Sequence, residues 1–143
     1  MSDARKLLHV ETIRVRWGDM DSLAHLNNAC YFTYLESTRV GWLDAIGGPT
    51  GAWWTLGYGP VIANASCEFL RPVVYPATLQ VSMWGGPPGN SSFQSLYELR
   101  DAGSPEVLYA TGAARVVWVD YRAGRSTRLP DTIRALLPAP VAG

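Results

Sequence analysis

The stretch NNACYFTYLESTRVGWLDAIGG, residues 27–48, decides the fold. Tyr31, Leu35, Thr38, Trp42 and Ile46 recur at helical spacing. The opposite side carries Phe32, Val40 and Leu43, and charge is confined to Glu36, Arg39 and Asp44. A helix so apolar is expected to be buried on most sides. Asn27 or Asn28 suits its N-cap, and Gly47, Gly48 and Pro49 end it. Glu36 and Arg39, three apart, are spaced to pair.

Upstream of the helix, VETIRVRW at 10–17 alternates, with Ile13, Val15 and Trp17 on one face. That period of two predicts a half-buried strand. GDMDSLAHLN, 18–27, reads as a loop of residues that bond their own backbone. Downstream, after a Gly/Trp loop, the chain turns to strands: PVIANASCEFLRP (60–72), TLQVSMWGG (78–86), SSFQSLYELR (91–100) and VLYATGAARVVWVD (107–120). PDTIRALL, 130–137, predicts a short helix. Short turns between strands mean antiparallel pairing. The expected fold is α+β, a five-stranded antiparallel sheet wrapped around one long central helix. Five strands cannot enclose the helix, so an open edge invites a second copy.

Composition narrows the classes. A chain of 143 residues suits one domain, 1–143. Its formal net charge is zero, which argues against nucleic acid or an anionic membrane as partner. No apolar run approaches the ~18 residues of a bilayer span. The first residues lack a signal-peptide core, so the expected compartment is the cytosol. Cys30 and Cys67 are too few for a disulfide framework and read as small buried hydrophobes.

RVRWGDMDSLAHLNNACYFTYLE, 14–36, carries a resemblance. An aromatic-Gly-Asp-x-Asp run, then an Asn-containing helix entry and a Tyr-Phe pair, are here Trp17, Gly18, Asp19, Asp21, Asn27, Asn28, Tyr31 and Phe32. Together with FLRPVVYPATLQV, SSFQSLYEL and ARVVWVDYRAGRSTRLPDTI, this resembles the hotdog-fold acyl-CoA thioesterases of the 4-hydroxybenzoyl-CoA thioesterase-like family, over residues from about 9 to 137. The resemblance implies hydrolysis of an aliphatic or aromatic acyl-CoA at a dimer interface, in a homodimer or a dimer-of-dimers tetramer. It implies no metal or cofactor, coenzyme A being part of the substrate. It makes Asp21 the catalytic carboxylate and aims the Asn28 N–H at the thioester oxygen. Asn27 and His25 are expected to position the substrate, and Ser91 and Ser92 to begin a strand that passes the pantetheine arm. The family's basic cluster before that strand is replaced by PPGNSS, and Arg125 and Arg128 are the candidates for the missing charge.

The residues themselves suit this chemistry. Thioester hydrolysis needs a nucleophile or base, a holder for the charge growing on the carbonyl oxygen, and a dry slot for the acyl group. A carboxylate attacks directly or deprotonates water. A helix N-terminus offers unpaired N–H groups and partial positive charge to an oxyanion. Blander readings stand beside each. Asp19 reads as a turn residue, Asp21 as a solvated loop acid, His25 as a side chain in a hydrogen-bonded niche, and Asn27 and Asn28 as caps. Asp19, Asp21 and His25 also resemble a partial metal set, and Cys30 with His25 a thiol and its base, with the helix start lowering the thiol pKa. A non-catalytic acyl-CoA carrier and a hotdog enoyl-CoA hydratase are the rival functions. The Pro and differently spaced His of the hydratases are absent from DSLAH.

Overall fold

The computed structural model describes residues 4–47 and 56–140. Strand β1 is Lys6–Arg14, helix α1 Asn28–Gly47, β2 Tyr58–Phe69, β3 Thr78–Gly85, β4 Ser92–Asp101, β5 Leu108–Asp120, β6 Arg125–Ser126, and helix α2 Asp131–Arg134. The strands form one antiparallel sheet in the order β1-β3-β4-β5-β2, with β6 paired to the outer end of β5. It curls over α1, as the hotdog resemblance implies. The expected Gly/Trp loop and the stop at Gly48 and Pro49 lie outside the described residues.

Alternation builds the core. Along β3, Leu79, Val81 and Met83 point at the helix, and along β4 Phe93, Ser95, Tyr97 and Leu99 do so. From α1 come Tyr31, Tyr34, Leu35, Thr38 and Trp42. Trp42 meets the Phe93 ring edge-on, centroids 5.8 Å apart. Gly112 of β5 gives Leu35 its seat, since a Cβ there would lie 2.8 Å from Leu35 Cδ1. Buried polar groups are satisfied locally: Ser95 Oγ donates to Ala114 O at 2.7 Å and receives the Tyr97 hydroxyl at 2.8 Å. Leu129, Ile133 and Leu137 close the end of the core beside α2.

Four sequence expectations need correction. The sheet has six strands, because β6 is a two-residue return onto β5 too short to show a period. Strand β1 runs 6–14 rather than 10–17. Its pairing with β3 ends where Val15 N–H reaches Ala77 O at 3.0 Å, just before the 3-10 turn at Trp17–Asp19. Trp17 therefore leaves the inward face of Ile13 and Val15, and 75% of it is exposed in a 3-10 turn. Helix α1 is buried on one side only: Phe32, Glu36 and Ile46 are exposed. Arg39 donates to the Tyr97 hydroxyl at 3.2 Å, and it makes no ion pair with Glu36.

Strand β2 explains the helix's open flank. Pro60, Ile62, Ala65, Cys67 and Phe69 stand opposite Trp118, Val116, Ala114, Gly112 and Ala110 of β5, so they share the helix side of the sheet. A bulge between Ile62 and Asn64 preserves that phase. Yet among the described residues β2 has no neighbour on its other side, and Ile62 and Phe69 remain exposed there.

Candidate active site

The loop before α1 is held by its own backbone. Trp17–Asp19 make a 3-10 turn, and Met20 and Leu26 bridge in antiparallel fashion. Between them the Asp21 N–H donates to His25 O at 2.8 Å and the Ala24 N–H to Asp21 O at 3.0 Å. Ala24 takes φ 62°, a left-handed conformation that lets the chain reverse. Leu26 N–H donates to Val73 O at 2.8 Å, which ties this loop to the segment after β2.

The two aspartates have opposite fates. Asp19 is buried. Its Oδ1 accepts from Arg16 at 3.0 Å and its Oδ2 from the Tyr34 hydroxyl at 2.6 Å. The Arg16 hydrogen bond first, then that from Tyr34, hold its carboxyl below the usual range. The Tyr34 hydroxyl is correspondingly raised, by burial first and by Asp19 second. Asp19 O also accepts the Asn27 N–H at 2.9 Å, so this acid fastens the loop to the helix entry. Asp21 is exposed. Its Oδ1 accepts N–H groups of Leu23 at 2.9 Å and His25 at 3.2 Å, which fix the side chain. Its Oδ2 has no donor among the described residues.

The helix start divides its free amides. Asn27 Oδ1 accepts the Ala29 N–H at 2.9 Å and Asn27 O the Cys30 N–H, also at 2.9 Å. Asn27 is thus the N-cap, and the Asn28 N–H is left without an acceptor among the described residues. Cys30 is not activated by the helix start. Burial raises its thiol pKa, and the Asp19 charge adds to that. Cys67, on the inner face of β2, is pushed up to about 11 by burial.

Asp21, His25 and Asn28 line one cleft of about 310 Å³. Its other walls include Leu26, Tyr31, Phe69, Leu70 and Arg71, with Phe69 packed edge-on against Tyr31 at 4.8 Å. Burial first, with a smaller contribution from the Asp21 charge, raises the Tyr31 hydroxyl. Ser91, Ser92 and Arg125 lie elsewhere. Ser92 opens β4 opposite Val117 and takes a hydrogen bond from Arg115 at 3.0 Å, and exposed Arg125 pairs with Asp120 on the β6 turn. Among the described residues, no three His, Cys, Asp or Glu side chains gather where a metal ion would bind. No helix among the described residues is long and apolar enough to cross a membrane. Sequence reasoning did not single out Arg71. Nothing in its spacing links it to Asp21; the Leu26–Val73 hydrogen bond and the Tyr31–Phe69 ring contact bring the two segments together.

Comparisons with known proteins agree with this architecture. The family model of the thioesterase-like superfamily matches residues 15–137. A solved Pseudomonas aeruginosa protein named as a candidate thioesterase is 43% identical, with TM-score 0.83 over 91% of this chain and 98% of that one. A Xanthomonas campestris structure named as a candidate acyl-CoA thioesterase is 34% identical, with TM-score 0.75 over 87% of this chain and 100% of its own. The Bacillus subtilis protein YsmA, of uncharacterised function, is 26% identical over 83% of this chain and 78% of its own. Spanning loop, helix and sheet together, the match shows that the chain belongs to the thioesterase-like superfamily and is a thioester hydrolase of hotdog fold.

Proposed function

We propose that the protein hydrolyses an aliphatic or aromatic acyl-CoA, with Asp21 as base or nucleophile and the Asn28 N–H as oxyanion donor. One observation carries this reading. Asp21 Oδ2 and the Asn28 N–H are both unclaimed among the described residues, and both residues line the same cleft. If Asp21 acts as base, it takes a proton from water as the hydroxyl attacks the thioester carbon. The carbonyl oxygen gains charge against the Asn28 N–H, a donor of a kind worth about 2.7–4 kcal/mol in a transition state. Collapse breaks the C–S bond, and the thiolate of coenzyme A leaves and is protonated. His25 and Asn27 position the substrate, Asn27 by holding the helix start in place. The reaction as proposed needs no metal or cofactor.

The unit proposed to work is at least a homodimer, with a dimer of dimers as the larger form. Support comes from β2, an edge strand that no described residue pairs with on its outer side, with an apolar inner stripe. Two β2 strands pairing antiparallel about a two-fold axis set the Pro60 end of one beside the Phe69 end of the other. Ser91, Ser92 and Arg125 belong to the Pro60 end, since Ser92 and Val61 both stand opposite Val117. In such a pair they approach the partner's cleft and serve the pantetheine and nucleotide of its substrate. The cytosol is the proposed compartment, consistent with two free thiols.

The test is a hydrolysis screen over aliphatic and aromatic acyl-CoAs, repeated after EDTA dialysis. Thiol release that survives the chelator supports the reading. Acyl-CoA binding without turnover means a carrier, and loss of activity restored by a divalent ion means a metal enzyme.

A further inference from the structure

The face of the sheet turned away from α1 is laid out in rows. Thr111, Ala113 and Arg115 of β5 point outward there, since Ala110, Gly112, Ala114 and Val116 point at the helix. Ladder register gives each a neighbour on both sides. Thr111 lies between Glu68 of β2 and Glu98 of β4, Ala113 between Ser66 and Leu96, and Arg115 between Asn64 and Gln94. Successive rows are about 7 Å apart, and neighbouring strands about 4.8 Å. An acidic row and a basic residue thus flank a central row of small or apolar side chains. Two of these charges lack a counter-ion among the described residues. Glu98 is held by Arg5 at 3.5 Å and Arg100 at 3.1 Å. Exposed Glu68 takes the Thr111 hydroxyl at 3.4 Å, and exposed Arg115 donates to the Ser92 hydroxyl at 3.0 Å. Arg115 stands about 13 Å along β5 from Thr111, beside which Glu68 lies, and within one chain the two do not pair. Glu68 and Glu98 also line a groove of about 410 Å³ with Thr111 and Ala113.

This pattern is complementary to itself. We propose that two copies stack outer face to outer face, about a two-fold axis that lies in the interface along the central row. Such an axis turns the Arg115 row of each copy onto the Thr111 row of the other. The second copy's Arg115 then comes over Thr111, between Glu68 and Glu98, and the same contact recurs across the axis. Sheets stacked face to face lie about 10 Å apart, a gap that an arginine side chain crosses. An in-plane axis along the strands would instead set acids on acids. The inference rests on the dimer-of-dimers reading and names its second interface. The central row crosses β2 at Ser66, near the middle of Tyr58–Phe69. Where two β2 strands pair about their middle, the axis between them meets the in-plane axis at a right angle, and the assembly closes at four copies.

The test is sedimentation equilibrium of charge-reversal variants. The wild type is expected to hold four copies of the 15.6 kDa chain. Glu68→Arg and Arg115→Glu should each halve the mass, raising the dissociation constant for stacking by about 10²-fold, since two opposite-charge contacts become like-charge ones. The double variant Glu68→Arg/Arg115→Glu restores opposite charges and should return to four copies. Circular dichroism checks that each variant is folded, and Glu68→Gln or Arg115→Gln carries the same test for a reversal that does not fold. A single reversal that keeps four copies, or a folded double variant that stays at two, overturns the inference. A wild type of two copies is sorted by the same variants. If the reversals make it monomeric, the outer face is the interface and the β2 pairing fails. If they leave it at two copies, the β2 pairing stands and this inference fails. A monomeric wild type sinks both.

Discussion

Asp19 and Asp21 are two positions apart, and their partners make them different reagents. Asp19 has both oxygens engaged and is buried, so it is a fastener. Asp21 has one oxygen fixed by backbone N–H groups and the other unclaimed among the described residues. Asp21→Asn keeps the shape and removes the charge, so kcat on the best acyl-CoA should fall by at least ~10²-fold. Asp19→Asn should cost far less in kcat and more in stability. If Asp21→Asn keeps most of its kcat, or Asp19→Asn proves the dead but folded variant, the assignment is wrong. Tyr34→Phe tests the fastener directly. Loss of its hydrogen bond to the Asp19 carboxylate should cost about 1.5–3 kcal/mol in urea unfolding at pH 7. The Asp19 carboxyl is held below its usual range, so its contribution is present above the unfolded pKa of about 3.9 and is lost as pH falls through the folded value. The Tyr34→Phe deficit should therefore shrink below about pH 4. A deficit that stays constant down to acid pH would exclude this role.

At the scale of elements, the proposed site depends on where α1 is seated, because its first turn carries the Asn28 amide proposed as oxyanion donor. Leu35 fixes that seat against β5. A Cβ added at Gly112 would lie 2.8 Å from Leu35 Cδ1 and 3.4 Å from Ser66 O, with fully buried Leu35 unable to withdraw cheaply. Gly112→Ala should destabilise by about 1–3 kcal/mol, the usual cost of overpacking. Urea unfolding checks this, and a neutral result would mean that helix and sheet slide freely. The glycine is plain in the sequence, but its reason is not, because Leu35 and Gly112 meet only in three dimensions.

For the whole molecule, the open edge at β2 is the main unmet demand. Its inner stripe faces the helix side, while Ile62 and Phe69 stay exposed at 39% and 43%. Sedimentation equilibrium at micromolar concentration should give at least twice the 15.6 kDa chain mass. Ile62→Lys, which sets a charge in the stripe, should shift the protein toward monomer and lower kcat/KM with it. A wild type that sediments at 15.6 kDa with full turnover would remove the dimer from the proposal.

Local periodicity was enough to read one long helix, the later strands and the antiparallel pairing, because those patterns repeat within a few residues. The aromatic-Gly-Asp-x-Asp run and the asparagines after it marked the candidate loop for the same reason: loop, cap and first helical turn are contiguous. Proximity along the chain did not separate Asp19 from Asp21. That required Tyr34 and Arg16 to close on one acid and backbone N–H groups to close on the other. The end of β1 depended on the 3-10 turn that follows it at Trp17–Asp19, and β6 on a return too short to have a period. The one-sided burial of α1 was decided by how far a single sheet can curl. Arg71 joined the cleft through the Leu26–Val73 hydrogen bond and the Tyr31–Phe69 ring contact, between segments far apart in sequence. Sequence carries what neighbours along the chain determine, and folding alone decides which distant side chains meet.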